Sequence, residues 1–156
     1  METGTARYGR SNCAGDGCST IIFADWVRKH GGEFYSVDID AGSLKNAEEG
    51  LAEMQPFANL IHSDSVDFLK NFNHPIDFLY LDSFDFDLMN ADRARLSQEH
   101  HLKEIIAAYP HLSPHCVIMI DDCALPMGGK GKLVIEFLQA MGWKIMIESY
   151  QVVLSR

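Results

Sequence analysis

Short apolar runs alternate with helix-like segments along most of this 156-residue chain. The strand-like runs are rich in β-branched and aromatic residues and cover residues 33–40, 57–62, 76–81 and 116–120. Segments with a helical spacing of apolar residues cover residues 19–29, 43–55, 66–72, 96–109 and 133–141. Strand–helix alternation predicts a parallel sheet covered by helices, so we expect a three-layer fold of the α/β class.

The two ends of the chain depart from this alternation. Residues 144–147 and 151–154 are strand-like with no room for a helix between them, so we expect an antiparallel hairpin there. At the other end, only Met1 precedes Glu2, where the first strand would end. We therefore expect a truncated first strand, in a chain that is either a minimal protein or a fragment of a longer one.

Composition narrows the class of protein further. Hydrophobic residues make up 47% and charged residues 22% of the chain, which is typical of one globular domain, here residues 1–156. The 22 acidic residues exceed the 13 basic ones, and the formal charge of −9 disfavours binding to nucleic acid or to an anionic membrane. No apolar run approaches the ~20 residues that span a bilayer. The four cysteines show no C-x-x-C spacing, so we expect neither a zinc site nor a disulfide framework, and a reduced, cytoplasmic setting.

Acidic residues follow every strand of the predicted parallel sheet. They are Glu2, Asp38, Asp64, Asp82 and the pair Asp121 and Asp122. Because ligands of such sheets bind at the carboxyl ends of the strands, we expect these carboxylates to line one binding edge. The glycine-rich residues 4–17 lack both the G-x-G-x-x-G spacing and a phosphate-binding lysine. An acidic edge with a carboxylate for two ribose hydroxyls favours a cationic nucleoside such as S-adenosylmethionine over a dinucleotide.

The chain resembles a known family over essentially its whole length. The matching segments are Glu2-Thr3-Gly4-Thr5, Gly15-x-Gly17-x-Ser19-Thr20, residues 36–40 (SVDID) and the closing hairpin, and they are similar to class I S-adenosylmethionine-dependent methyltransferases. The resemblance implies methyltransferase activity and a Rossmann-like methyltransferase sheet, mostly parallel with a C-terminal antiparallel hairpin. Within that fold, Leu81-Asp82 and Ile120-Asp121-Asp122 resemble the cation-dependent small-molecule O-methyltransferases.

The resemblance also implies roles for individual residues. It assigns the methionine part of the cofactor to Glu2 and Gly4, the ribose to Asp38 and the adenine to Asp64 and Ser65. The complete predicted cofactor set is Glu2, Gly4, Thr5, Ser19, Asp38, Asp64 and Ser65.

A divalent metal ion is the second cofactor that the resemblance implies. Its ligands would be Asp82, Asp121 and Asp122, with Asp82 also assigned to catalysis. Carboxylate oxygens without histidine or thiolate favour Mg²⁺ or another hard divalent cation. Such an ion would lower the pKa of a bound acceptor hydroxyl and orient it for attack on the methyl group.

Other functions stay open on the sequence alone. A metal-independent methyltransferase could act on nitrogen or on a carboxyl group, and a non-catalytic module could bind S-adenosylmethionine without turnover. A nicotinamide-dependent oxidoreductase is less favoured, because its glycine fingerprint is missing. We expect a small-molecule hydroxyl acceptor and a homodimer as one candidate assembly. Arg7 and Arg10 either contact an anionic substrate or lie exposed.

Four further side chains near the predicted site carry weaker expectations. His100 and His101 lie on a helix that should flank the sheet, and a surface position is favoured over a role as general base. Lys130 and Lys132 are expected to be solvated charges at the start of the last helix.

Overall fold

A computed structural model describes residues 1–156 of the chain. These residues divide into two compact units, Met1–Ser65 and Val66–Arg156. The single domain expected from the sequence stays a prediction, and each unit is described by itself. None of the helices combines the length and the apolar character needed to cross a membrane.

The first unit is built on three parallel strands in the order β3-β2-β1. The strands are β1 (Glu2–Thr3), β2 (Tyr35–Asp38) and β3 (Asn59–His62). The helices are α1 (Cys13–Asp16), α2 (Ser19–His30) and α3 (Ala41–Leu51), followed by a 3-10 turn at Ala52–Phe57. Glu2 pairs with Ser36 and Tyr35 with Asn59, so all three strands run towards the same edge.

The core of this unit forms where α2 packs on the end of α3. Buried Ile21 and Ala24 belong to one cluster with Phe34, Leu51 and Met54. Leu51 and Met54 are buried, as the helical spacing of apolar residues in 43–55 predicts. On α2 the helical spacing predicts Ile22 and Trp26 on the packed face, but both are exposed, and Ile21 and Ala24 are buried instead.

α3 begins at Ala41, two residues before the predicted start at residue 43. The side chain of Asp40, rather than that of Ser43, caps this helix, and the N–H of Ser43 donates to the Asp40 carboxylate at 2.6 Å. Both residue types are good N-caps, and the earlier one starts the helix.

The second unit contains four strands in the order β4-β5-β7-β6. The strands are β4 (Ile76–Leu81), β5 (Leu112–Ile120), β6 (Lys144–Glu148) and β7 (Val152–Ser155). The helices are α4 (Ser65–Asn71, which begins at the last residue of the first unit), α5 (Ala91–Ala108) and α6 (Lys132–Ala140). β4 and β5 are parallel, while β7 pairs antiparallel with both β5 and β6.

The observed elements confirm the α/β class, the mostly parallel strands and the antiparallel C-terminal hairpin. Two of the elements, α5 and β5, begin well before their predicted first residues 96 and 116. α5 starts at Ala91 because the Asn90 side chain accepts the N–H groups of Asp92 and Arg93 as an N-cap. β5 starts at Leu112 and includes Pro114, which lies where the pairing with β4 is irregular. A proline is tolerated there because no regular ladder bond needs its missing N–H.

Candidate functional site

In the first unit, buried hydrogen bonds that start at Glu2 hold the loop after β1. Glu2 is fully buried, and its Oε2 accepts the hydroxyls of Thr20 at 2.8 Å and Ser36 at 2.5 Å. Thr20 Oγ1 in turn accepts the N–H of Ala6 at 2.8 Å and lies 3.1 Å from Thr5 Oγ1. Since the Thr20 hydrogen is given to Glu2, the Thr5 hydroxyl donates in the second contact. Glu2 therefore fixes the loop through Thr20.

The second carboxylate oxygen of Glu2, Oε1, is buried without a hydrogen-bond partner. Burial raises the pKa of Glu2, although hydrogen bonds from Ser19, Ser36 and Thr20 act to lower it. The sequence assigned Glu2 to the methionine part of the cofactor, and the structure places it behind the loop at zero exposure. Its direct effect is thus on the shape and charge of the loop.

Asp38 lies half-buried at the end of β2, where its carboxylate holds two backbone groups. Oδ2 accepts the N–H of Thr5 at 3.0 Å, and Oδ1 accepts the N–H of Asp40 at 2.8 Å. Each carboxylate oxygen can accept a second hydrogen bond, so capacity for a ribose diol remains. Gly4 bends the chain between β1 and Thr5 with a φ of 79°, a conformation that favours glycine.

The remaining predicted cofactor residues follow the neighbouring elements. Ser19 is the first residue of α2 and hydrogen-bonds Glu2. Asp64 and Ser65 come directly after β3, next to the end of β2, where the N–H of Ser63 donates to the Asp38 carbonyl at 3.1 Å. The structure thus brings the predicted set together at the carboxyl ends of three parallel strands.

The long loop between β1 and α2 is anchored within the first unit. Cys13 and Cys18 form a disulfide, although the cysteine spacing indicates no disulfide framework. The turn at Gly17, with a φ of 92°, folds these two cysteines back on each other. Arg7 pairs with Asp16 at 3.4 Å, and Arg10 Nε donates to the Gly50 carbonyl at 2.6 Å. Both arginines therefore contact the protein itself.

In the second unit, three carboxylates meet one buried ammonium group. Leu81 lies opposite Ile120 in the β4–β5 pair, which places Asp82 beside Asp121 where these strands end. Lys130 is 1% exposed, and its Nζ lies 2.5 Å from Asp82 Oδ1 and 3.0 Å from Asp122 Oδ2. Asp122 can join this cluster because it leaves the strand with a φ of 53°.

Neutral donors complete the cluster. The Tyr80 hydroxyl donates to Asp121 Oδ2 at 2.6 Å, and Gln151 Nε2 donates to the Tyr80 oxygen at 3.2 Å. The Tyr150 hydroxyl donates to Asp122 Oδ1. Asp121 is thus satisfied by a hydroxyl, whereas Lys130 is the cation that balances Asp82 and Asp122.

The pKa values reflect this arrangement. Burial raises the pKa of Asp82 to about 7; the Lys130 charge opposes this, and the charges of Asp121 and Asp122 add to it. For Lys130, burial alone would lower the pKa, but the carboxylates of Asp82 and Asp122 outweigh it and raise the pKa above its ordinary value. Lys130 is therefore charged throughout the neutral range.

The close packing of the glycine loop at residues 128–131 positions Lys130 beside the carboxylates of Asp82 and Asp122. A Cβ on Gly129 would lie 1.7 Å from the Asp122 carbonyl oxygen, and one on Gly131 would lie 2.4 Å from Cys123 Sγ. The Gln98 amide on α5 donates to the carbonyls of Met127 at 3.2 Å and Gly129 at 2.9 Å. The sequence expectation of a solvated Lys130 is wrong. The signal that could have revealed it is the lysine between two glycines, shortly after an acidic pair.

The donor set does not fit the metal site that the resemblance implies. Among residues 1–156, no group of three His, Cys, Asp or Glu side chains could hold a metal ion. The Lys130 ammonium stands between Asp82 and Asp122, where a divalent ion sharing these ligands would need to be. Asp82, Asp121 and Asp122 therefore converge as predicted, but around an ammonium group.

The histidines of α5 also differ from expectation. His101 is fully buried, and its Nδ1 donates to the Ser97 carbonyl at 2.7 Å. Burial lowers the pKa of His101, which favours the neutral form of the ring. His100 is partly exposed and lies 3.3 Å from Glu104. The surface position expected for His101 is wrong, because the buried face of α5 includes polar side chains.

Comparison with known proteins identifies the family. A family model described as a methyltransferase domain matches residues 14–123, which is more than half of the chain. The chain belongs to the class I S-adenosylmethionine-dependent methyltransferases. No curated protein matches the sequence at a significant level.

Solved structures share the fold of this methyltransferase at low sequence identity. A proposed rRNA methylase from Clostridium thermocellum is 16% identical with a TM-score of 0.63, over 98% of this chain and 86% of that one. An O-methyltransferase from Bacillus cereus in complex with S-adenosylhomocysteine is 14% identical with a TM-score of 0.59, over 99% and 72% of the two chains. MycE of the mycinamycin biosynthetic pathway, in complex with Mg and S-adenosylhomocysteine, is 16% identical with a TM-score of 0.63, over 99% and 43%.

The buried Glu2 makes stability depend on pH in a defined direction. Its pKa is raised in the folded state, so its contribution is fully present below about pH 4.5 and is lost as the pH rises through the folded pKa. We expect Glu2→Gln to raise the Tm of the methyltransferase relative to the wild type, by an amount that grows as the pH rises above about 4.5. Thermal unfolding followed by circular dichroism measures this. The exposed Glu53→Gln is the matched control, and equal pH profiles for wild type and Glu2→Gln would contradict the assignment.

A second prediction follows from the close contact of Gly129 with the Asp122 carbonyl group. Gly129→Ala adds a methyl group both at a φ of 54° and against a carbonyl oxygen, so it should cost about 2–4 kcal/mol of unfolding free energy. Gly142→Ala is the matched control, because Gly142 has a φ of 86° but no atom within 4 Å of the new Cβ, and strain alone costs ~1 kcal/mol. Urea unfolding compares the two variants, and equal losses would refute the close packing of the Lys130 loop.

Proposed function

We propose that this methyltransferase transfers the methyl group of S-adenosylmethionine to a hydroxyl group of a small molecule. The observation that carries the proposal is the half-buried Asp82 carboxylate at the end of β4, held by Lys130 at 2.5 Å with a pKa of about 7. A carboxylate with such a pKa can accept a proton from a hydroxyl at neutral pH.

The first unit supplies the groups that would hold the cofactor. Asp38 retains acceptor capacity for the two ribose hydroxyls, while its existing bond to the Thr5 N–H keeps the loop close to β2. Glu2 lies buried behind this loop, and its ionised form suits the ammonium and sulfonium groups of S-adenosylmethionine. Asp64 and Ser65 are assigned to the adenine by their position after β3.

The second unit supplies the groups for the acceptor. S-adenosylmethionine, when bound, provides an electrophilic methyl carbon whose bond to sulfur breaks as the acceptor oxygen attacks, leaving the neutral thioether. Asp82 takes up the proton that the acceptor hydroxyl loses, so charge is conserved in the step. Lys130 keeps the Asp82 carboxylate in one orientation. Alignment of the acceptor oxygen with the methyl group is worth roughly 7–11 kcal/mol in favourable cases. Magnesium assistance is not part of the proposed step, because Lys130 stands among its ligands.

The charge of the chain favours a small molecule as acceptor. The formal charge of −9 and the acidic cluster would repel the phosphates of RNA, although one structural relative is a proposed rRNA methylase. Relatives with small-molecule acceptors include a TDP-rhamnose 3′-O-methyltransferase of calicheamicin biosynthesis. We therefore extend the proposed O-methylation to the hydroxyl groups of sugars or phenols.

Two variants separate the roles of the two units. Asp82→Asn removes the proton acceptor and should lower kcat by about 10²–10⁴-fold while S-adenosylhomocysteine binding changes less than about twofold. Asp38→Ala should weaken S-adenosylhomocysteine binding by about tenfold or more, because it removes the ribose acceptor. Methyl transfer is measured with labelled S-adenosylmethionine and the best acceptor from a panel of phenols and sugars, and binding by calorimetry. Full transfer by Asp82→Asn would refute its role as the proton acceptor.

A further inference from the structure

We propose that Lys130 is a built-in cation that takes the place of a divalent metal ion between Asp82 and Asp122, so that this methyltransferase activates its acceptor without a metal. The inference rests on the proposed function for its catalytic meaning. Its structural part concerns only the second unit and can be tested without cofactor or acceptor.

The buried charges of the cluster stabilise one another. Three carboxylates in one cluster repel each other unless a cation lies among them. A lysine side chain that is 1% exposed is equally unfavourable without anionic partners. The Nζ contacts of 2.5 Å to Asp82 and 3.0 Å to Asp122 satisfy both requirements at once. The cluster is thus complete without a further cation.

The glycine loop that carries Lys130 is packed so that the ammonium group reaches Asp82 and Asp122. The Gly129 backbone packs against Asp122 so closely that no side chain fits there, and the Lys130 N–H lies 3.4 Å from the Asp122 carbonyl. Gln98 holds the same loop from α5 through the carbonyls of Met127 and Gly129. Lys132, two residues later, is exposed and makes no comparable contact with the cluster. The burial therefore belongs to Lys130 in particular.

Few carboxylate oxygens of the cluster are left to bind a metal ion. Mg²⁺ and Mn²⁺ bind oxygen ligands near 2 Å and require a nearly octahedral shell. One oxygen each of Asp82 and Asp122 is occupied by the ammonium, Asp122 also accepts Tyr150, and Asp121 accepts Tyr80. A divalent ion would need to expel Lys130 from a buried position. Lys130 is thus a positioning residue that acts on the acceptor through Asp82.

The test is a titration with Mn²⁺ alone, followed by electron paramagnetic resonance. We expect Lys130→Ala, which removes the charge and frees space, to bind Mn²⁺ at least about tenfold more tightly than the wild type. Adding Asp122→Asn to this variant should abolish the gain, since it removes one ligand. Lys132→Ala, the same substitution at the exposed first residue of α6, and Lys130→Arg, which keeps the charge, should both bind Mn²⁺ like the wild type.

The unmodified protein provides an independent arm, in case Lys130→Ala does not fold. The wild type and Asp122→Asn should show the same weak Mn²⁺ binding, because the cluster contributes no metal site while Lys130 is present. Tight binding by the wild type that is lost in Asp122→Asn would overturn the proposal. A folded Lys130→Ala variant with wild-type Mn²⁺ binding would overturn it as well. Neither result involves methyl transfer, so failure here is distinct from failure of the proposed function.

Discussion

The buried contact of Lys130 with Asp82 and Asp122 is the interaction on which the candidate acceptor site depends. Without the ammonium, the carboxylates at the ends of β4 and β5 would repel each other in a largely desolvated place, and breaking a buried pair of this kind costs about 3–5 kcal/mol. The surrounding structure serves this contact, since the close backbone approach at Gly129 and the Gln98 amide both fix the loop that carries Lys130. The two ion pairs of Lys130 thus connect two strand ends and the glycine loop, which Gln98 in turn links to α5.

The first unit also contains a buried carboxylate, that of Glu2, and neutral donors surround it instead of a cation. Glu2 is as buried as Lys130, yet hydroxyl groups of Thr20 and Ser36 surround it, and one of its oxygens has no partner. Its charge is therefore poorly compensated, which raises its pKa and leaves the loop with a preference for a cation. The cofactor of this family, S-adenosylmethionine, carries positive charge. A cost to stability at Glu2 is consistent with a gain in cofactor binding.

Much of the fold and part of the site could be predicted from the sequence, because both depend on local patterns. The strand-like runs predicted Asp38 and Asp82 at the ends of strands. Within each unit, the parallel strands bring the residues at neighbouring strand ends close together. Lys130 and His101 could not be predicted in the same way, since their burial depends on packing between distant segments. The buried face of α5 carries Ser97, Gln98 and His101 at helical spacing, and polar residues in that pattern look like a solvated face. The Cys13–Cys18 disulfide depends on a turn at Gly17 that has no apolar signature.

The most direct test of this account is a calorimetric titration of the wild-type protein with S-adenosylhomocysteine, once with EDTA and once with Mg²⁺. A class I methyltransferase with an intact first unit should bind this product, and a cluster balanced by Lys130 should leave the affinity unchanged by the metal. We predict binding with the same Kd, within about twofold, in both titrations. Absence of binding would contradict the cofactor site, and binding that requires Mg²⁺ would contradict the role of Lys130.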